Sequence, residues 1–401
     1  MMDFITVSKA ESIIQSNIKD FGEEKISFEN SLGRILAESL YADRDLPPFN
    51  RPTVDGIAIL FNSFKNKIYK FKVKATQAAG EDPVRVEAED ECIEIMTGAA
   101  LHNSVDTVIR YEDISIKDGV ATINISKIKK GQNIHFQGKD KRAGDLVAKS
   151  NQIITPALIG LAASIGKTKL TVKKLPHILM ITTGDEMVSA NAKPAPYQLR
   201  RSNDSTIKAV LLRYKLKVDT LHLNDNYSLI KKELAGCLQE YDIILMSGGV
   251  SMGKFDYVPK ALQELKVEKL FYKVKQRPGK PFWFGKHPEG AMVFAFPGNP
   301  VSAFMCLHRY FLPWLESSLS LQQQKIFAVL NKDVQFMHPL QYFAQVKLKM
   351  NDKGQLMAEP VEGNGSGDFS NLIDTDAFLE LPLERDKFKK GEVFRVWKYN
   401  F

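Results

Sequence analysis

Cysteine is scarce in this chain: Cys92, Cys237 and Cys306 are the only three in 401 residues, far apart and without metal or redox spacing. That excludes a disulfide framework and a cysteine-rich zinc site and points to a reducing compartment, so the cytoplasm is the expected location. No apolar run reaches the roughly 18 residues of a membrane span, and the start MMDFITVSKAES carries acids where a secretory signal is basic and then apolar. Dense Lys/Arg runs, nucleic-acid motifs, internal repeats and low-complexity linkers are also missing, which argues against nucleic-acid and membrane partners. His177, His222 and His308 have no partners at metal spacing and read as packed or surface histidines.

What is present is a globular composition, 44% hydrophobic and 25% charged, in a chain too long for one ordinary core. The formal net charge is +8. A moderately basic protein without a nucleic-acid motif favours small anions as partners.

The pattern divides the chain into zones, read as an α/β multidomain protein: a discontinuous helical or linker domain (1–45 and 136–172), a β-rich inserted domain (46–135), a central α/β domain (173–319) and a small C-terminal β-barrel (320–401). In the first zone Ser8 and Glu11 fit a capping box, Ile13, Ile14 and Ile18 supply an apolar face, and Gly22 can stop the helix. Pro156 in TPALIGLAASIG marks another helix start. In the third zone the apolar strands HILMI, KVDTLHL, DIILM and AMVFAF alternate with helices; one carries Ile207, Val210, Leu211 and Tyr214, the next Ile230, Leu234 and Leu238. Such alternation predicts a mostly parallel sheet with helices on both faces.

Ligands of an open parallel sheet bind beyond the carboxyl ends of its strands. Five polar strings gather at such ends here: TTGDE, NDN, SGGVSMGKFD, RPGKP and PGNPVS. Gly248 and Gly249 let the backbone approach a ligand closely, which frees the Gly248, Gly249 and Val250 amides for an anion. Asn299 can cap a helix that starts at Pro300, and Arg277 and Lys280 add full positive charges, which together predict a phosphate or oxyanion pocket. Gly, Pro and Asn are also ordinary strand-to-helix turn residues, so the argument rests on five strings at one edge rather than on any one. Asp185, Glu186, Asp225 and Asp256 fall at the same ends; carboxylates beside a phosphate-binding edge suit Mg²⁺, and they also suit helix N-caps.

These strings, in order, resemble the molybdopterin molybdenumtransferase family, known as MoeA in bacteria and as the E domain of gephyrin in animals. The resemblance covers nearly the whole chain: LPPFNRPTVDGIAI, IMTGA, GQNIHFQGKD, TTGDE, SGGVSMGKFDYV, RPGKP, FPGNPVSAF and GNGSGDF are collinear. It implies a molybdopterin-binding-like α/β domain and Mg²⁺-dependent transfer of molybdenum from molybdate to adenylated molybdopterin, releasing AMP and the molybdenum cofactor. By matching position it implies functional roles for Asp55, Thr97, Asp140, Glu186, Asp225 and Asp256, with Mg²⁺ or phosphoanhydride chemistry at Asp225, Asp256 and Glu186. It puts substrate phosphates at Gly248, Gly249, Val250, Ser251, Pro297, Gly298, Asn299 and Pro300. Molybdate falls to Arg277, Lys280, Pro281, Ser302 and Ser366. Asp55, Asp140 and Ser366 lie outside the α/β zone and, by the same resemblance, reach the crevice across an elongated homodimer; a molybdopterin adenylyltransferase and recipient molybdoenzymes are the implied partners.

The chain departs from the family pattern at His135 and Lys139, where Arg and Glu are usual, at Arg277 for Lys, at Gln345 for Arg, and at Lys254 where an acid is frequent. Replacing Arg by Gln removes a charge, whereas Arg for Lys keeps the charge and changes the hydrogen-bond geometry. Two other readings are a molybdopterin adenylyltransferase, whose Gly-Gly-Thr-Gly is GGVS here, and a non-catalytic scaffold or carrier. The row of carboxylates at a phosphate edge argues against pure scaffolding.

Overall fold

The computed structural model describes residues 4–249 and 257–400. Its first helix, α1 (Val7–Gln15), is capped by Thr6, whose hydroxyl accepts from the Lys9 amide at 3.2 Å. The expected Ser8–Glu11 box is not used, because Glu11 turns instead toward a buried arginine described below. The stripe that faces the core is Val7, Ala10 and Ile14; Ile18 is 50% exposed. The helix ends at Ser16 rather than at Gly22.

Residues 23–45 hold no α-helix, against the sequence expectation: a single 3-10 turn (Phe28–Asn30) sits among short strands. Glu23–Ser27 pairs with Lys169–Lys173, and Ile35–Leu36 lies between that strand and Gln152–Ile153. Between those late strands runs α2 (Pro156–Ser164), with Pro156 in its first turn, as the sequence predicts, and Thr155 as its cap, accepting from the Leu158 amide. Residues 56–123 build a six-stranded sheet of their own.

The central sheet follows the sequence pattern closely. Strands β1 (Ile178–Thr183), β2 (Val218–Leu223) and β3 (Ile243–Ser247) are joined by β4 (Glu268–Tyr272), β5 (Trp283–Lys286) and β6 (Met292–Phe296), in the order β2-β1-β3-β6-β5-β4. The first four of that order are parallel and in register from Ile178, opposite both Val218 and Ile243. The antiparallel edge formed by β5 and β4 is absent from the sequence reading. Successive side chains of a strand point to opposite faces, so both faces of a sheet covered twice must be apolar. Met180, Leu245 and Phe294 pack with Ile207 and Leu211 of α3 (Asn203–Leu212). Leu179, Ile181, Ile244 and Val293 pack with Ile230, Leu234 and Leu238 of α4 (Tyr227–Glu240) on the other side.

After β6, α5 (Pro300–Cys306) runs through a π-turn (Leu307–Phe311) into α6 (Leu312–Ser318). The chain then closes a five-stranded barrel from β7 (Ile326–Leu330), β8 (Gln341–Met350), β9 (Leu356–Pro360), β10 (Ala377–Leu381) and β11 (Val393–Lys398), in the cyclic order β7-β9-β8-β10-β11. Only β7 and β9 pair in parallel.

The barrel is fastened to the rest of the chain by charge as well as by apolar packing. Arg309, 2% exposed, donates to Glu11 at 2.8 Å and to Glu380 at 3.3 Å, and its guanidinium lies 4.4 Å from the Trp397 ring centroid. Trp397 donates its indole N–H to Glu380, Gln341 donates its amide to the same carboxylate, and Arg395 stands 3.6 Å from Glu11 and over Trp397. Burial pushes the Glu11 carboxyl up, but Arg309 and then Arg395 pull it further down, so the net displacement is downward.

Two expected outcomes follow from this packing. Arg309→Met leaves Glu380 with its charge and no buried cation, and chemical denaturation should show a loss of about 3–5 kcal/mol; a midpoint within experimental error of wild type contradicts the role. His308, buried in the π-turn with its ring nitrogen against the Phe304 carbonyl, is lowered to about 4, first by burial. A depressed imidazole stays neutral when folded while the unfolded chain protonates, so its contribution is complete above about 6.5 and is lost as the pH falls toward 4. His308→Asn should flatten the fall of the thermal midpoint over that interval; an unchanged slope assigns the fall to other groups.

Candidate active site

The carboxyl edge of the central sheet is assembled by close backbone contacts. Gly248 (φ +94°) and Gly249 (φ +65°) cross the end of β1 so tightly that a Cβ on either would lie 2.7 Å from Thr183, from its carbonyl oxygen and its hydroxyl respectively. Only glycine combines that left-handed backbone with that approach. Asn203, the first residue of α3, draws the neighbouring strand ends together: its Nδ2 donates to Ser247 Oγ at 2.7 Å and to the Gly298 carbonyl at 2.8 Å, and Ser247 Oγ donates to the Pro297 carbonyl at 3.3 Å. Asn203 escaped the sequence reading; its signal was a polar residue starting a helix in the string RRSNDST.

Carboxylates gather on the β1–β2 side of this edge. The Asp225 amide donates to Asp185 Oδ1 at 3.1 Å, and the Glu186 carboxylate folds back over Gly184, within 2.6 Å of where a Cβ there would sit. Val250, Ser251, Lys254 and Asp256 lie outside the described residues.

Beyond the edge opens a cavity of about 540 Å³. Its floor is Pro297, Gly298, Asn299, Val301 and Ser302, one wall is the segment 276–281, and the facing wall is β8 with the loop 361–366. Gln276–Arg277 pairs in parallel with Gln341–Tyr342, so the RPGKP turn bridges sheet and barrel. Arg277, Lys280, Pro281, Ser302 and Ser366 all line this space, and among the described lining residues Arg277 and Lys280 are the charged ones. Both cations rest on aromatic faces: Lys280 Nζ lies 4.9 Å from the Phe4 centroid, and the Arg277 guanidinium lies 5.8 Å from Phe336, itself stacked on Tyr342 at 4.2 Å. A cation held by a quadrupole keeps its charge available to a guest.

Two expectations need correction here. Asn299 occupies the cap position of α5 but makes no capping bond; its Nδ2 donates instead to Ser366 Oγ at 2.8 Å, while the Val301 amide donates to the Ser366 carbonyl at 3.1 Å. Ser366 therefore reaches the cavity within one chain, because the barrel folds back onto α5, and needs no second copy to bring it there. Pro300 stands at the start of α5 beside the floor without lining the cavity.

Asp55, Thr97 and Asp140 are not brought to this cavity by the single chain. Thr97 donates its hydroxyl (2.7 Å) and its amide (2.6 Å) to Asp55 Oδ1, and these bonds hold that carboxyl below its ordinary range. Asp140 pairs with His135 at 2.9 Å. Gln345 lines the barrel wall, its carboxamide oxygen accepting from Asn371, so the residue standing where the resemblance expects an arginine is neutral and anchored.

The chain matches three family models in sequence: the MoeA N-terminal region (domains I and II) over residues 5–166, a "probable molybdopterin binding domain" over 179–317, and the MoeA C-terminal region (domain IV) over 328–399. It is 38% identical over 398 residues to the molybdopterin molybdenumtransferase of Synechocystis, covering 98% of this chain and 100% of that protein. It is 30% identical over 386 residues to a molybdopterin molybdenumtransferase of Staphylococcus aureus, covering 92% and 90%. A solved molybdopterin biosynthesis MoeA protein from Pyrococcus horikoshii superposes with a TM-score of 0.84 at 27% identity, over 99% of each chain.

Gly248→Ala should cost on the order of 1–3 kcal/mol of stability, through left-handed strain and the clash with Thr183, and so lower the thermal midpoint. Gly236→Ala, within α4 and with nothing inside 4 Å, should be neutral or stabilising. Equal responses of the two variants in a thermal melt contradict the crossing described here.

Proposed function

Because the chain belongs to the molybdopterin molybdenumtransferase family and is an enzyme of molybdenum cofactor biosynthesis, we propose that the cavity between sheet and barrel receives molybdate, and that the glycine-lined edge beside it receives the phosphates of adenylated molybdopterin. The observation that carries this reading is the convergence of Arg277, Lys280, Pro281, Ser302 and Ser366 on one cavity with no carboxylate among its described lining residues. Two like charges about 4 Å apart repel by about 1 kcal/mol in water and about 4 kcal/mol at the effective dielectric of a protein surface. A dianion and a polyanion meet only where cations offset that repulsion, and Arg277 and Lys280 are placed to do so.

On this reading Ser302 and Ser366 orient the oxyanion by hydrogen bonds, and the Gly248, Gly249 and Gly298 backbone lets phosphate oxygens come close. Ser251 and Val250 belong to the same phosphate region by sequence, as do Pro297, Asn299 and Pro300. The carboxylate side of the edge fits Mg²⁺ by donor chemistry, since Glu186 and Asp225 offer only oxygen. Among the described residues no group of three His, Cys, Asp or Glu stands ready as a complete metal cage, so Glu186 and Asp225, with Asp256, would hold the ion together with substrate phosphates. Bound there, Mg²⁺ supplies charge neutralisation for the phosphoanhydride. The products are AMP and the molybdenum cofactor.

Asp55, Thr97 and Asp140 enter this scheme through a homodimer, in which a second copy carries them to the edge; an adenylyltransferase would supply the substrate and molybdoenzymes would take the product. No described helix is long and apolar enough to cross a membrane, and the free thiols of Cys92, Cys237 and Cys306 suit the cytoplasm.

AMP release from adenylated molybdopterin, followed with and without molybdate, tests the scheme. Lys280→Ala should raise the molybdate concentration for half-maximal release roughly tenfold or more, the worth of a charged hydrogen bond. Asp256→Ala should abolish metal insertion and leave the melting curve intact. Wild-type turnover in the Asp256 variant removes its catalytic role, and an unchanged molybdate response in the Lys280 variant removes the oxyanion assignment.

A further inference from the structure

The RPGKP turn that carries both cavity cations is tied by backbone bonds, the Lys280 carbonyl accepting from the Val274 amide at 3.0 Å, and is also supported from beneath. Beneath it lies the Gln276 side chain, 0% exposed, whose Nε2 donates to the Gly279 carbonyl at 2.8 Å and stands 3.6 Å from the Cys306 sulfur. Its Oε1 accepts from the Tyr310 hydroxyl. Tyr310 is itself fully enclosed, its ring 5.0 Å from Phe282, and burial raises its phenol so that it remains a donor. Gly279 (φ +86°) is pressed so near α5 that a Cβ would come within 2.8 Å of both Cys306 Sγ and Met305 Cε.

Tyr310 belongs to the π-turn, and such turns redirect the side chains that follow them and recur at functional sites. Here two consecutive residues take different partners: Arg309 enters the charge cluster with the barrel, and Tyr310 reaches the oxyanion turn. In a trans peptide the N–H points opposite to the C=O. Seating the Gly279 carbonyl on Gln276 therefore turns the Lys280 N–H away from the buried carboxamide and keeps a carbonyl dipole from facing an incoming anion.

We propose that Gln276 and Tyr310 are positioning residues for anion binding: they hold the 277–280 turn down on α5 so that Arg277 and Lys280 present their charges, and the Lys280 N–H, to the oxyanion. This rests on the reading of the cavity as the molybdate site. Neither residue is asked to touch the reacting atoms.

The test compares wild type, Lys280→Ala, Tyr310→Phe and the double variant Gln276→Met/Tyr310→Phe, each by molybdate titration of AMP release and by thermal melting. Tyr310→Phe removes one oxygen and should raise the half-saturating molybdate concentration about tenfold, the worth of one buried hydrogen bond, with a smaller effect on the maximal rate. The double variant replaces the polar pair by apolar groups of similar shape, which restores packing without restoring the carbonyl anchor. It should melt higher than Tyr310→Phe and still bind molybdate weakly. Molybdate affinity that recovers together with the melting temperature assigns the pair a purely structural role and overturns the proposal. A weakened Lys280→Ala beside an unchanged Tyr310→Phe overturns it alone; an unchanged Lys280→Ala takes the cavity reading with it.

Discussion

Arg309 is a guanidinium withdrawn from water and enclosed by the Glu11 and Glu380 carboxylates and the Trp397 indole, and the placement of the barrel depends on that enclosure. Its partners come from α1, β10 and β11, and the arginine from the π-turn between α5 and α6. Such a cluster adds little stability over an apolar contact of equal volume, yet separating its members strands a buried charge. The consequence is geometric: the cluster, together with the pairing of Gln276–Arg277 with Gln341–Tyr342, sets how β8 and the 361–366 loop face the RPGKP turn. A cavity whose walls come from two folding units is as well defined as the joint between them.

That joint also separates charge by sign. The cations Arg277 and Lys280 stand on the barrel side of the sheet edge, while Glu186, Asp185 and Asp225 stand on the β1–β2 side. The glycine crossings at Gly248 and Gly249 occupy the middle, where backbone without side chains lets a guest lie close to both. On the proposed reading, an oxyanion and a metal-associated phosphate would call for opposite fields, and two rims of one edge would provide them, with no ion pair between them among the described residues. Arg277 over Phe336 and Lys280 over Phe4 are held by rings rather than by carboxylates, which keeps that separation.

Patterns that depend on neighbours along the chain were legible beforehand. The strands and helices of the central sheet follow from alternating apolar runs and from Ile230, Leu234 and Leu238 at helical spacing, since a sheet covered on both faces must be apolar throughout. The helix at Pro156 follows from its start signal. Reading failed where a tertiary partner outbid the local one: Glu11 left its capping box for Arg309, Asn299 left its cap for Ser366, and stretches of 23–45 became short strands because segments of 146–173 pair with them.

By itself the sequence determined the family and the strand ends that carry glycines, carboxylates and basic residues, because each is written in residues adjacent in the chain. Tertiary structure decided which of those residues share a cavity, that Ser366 arrives from the same chain, and that Asn203, Gln276 and Tyr310 support the rest. Asn203 finds its partners at Ser247 and Gly298, and Tyr310 bonds Gln276 thirty-four residues away; such hydrogen bonds between distant residues exist only once the core has set their separation.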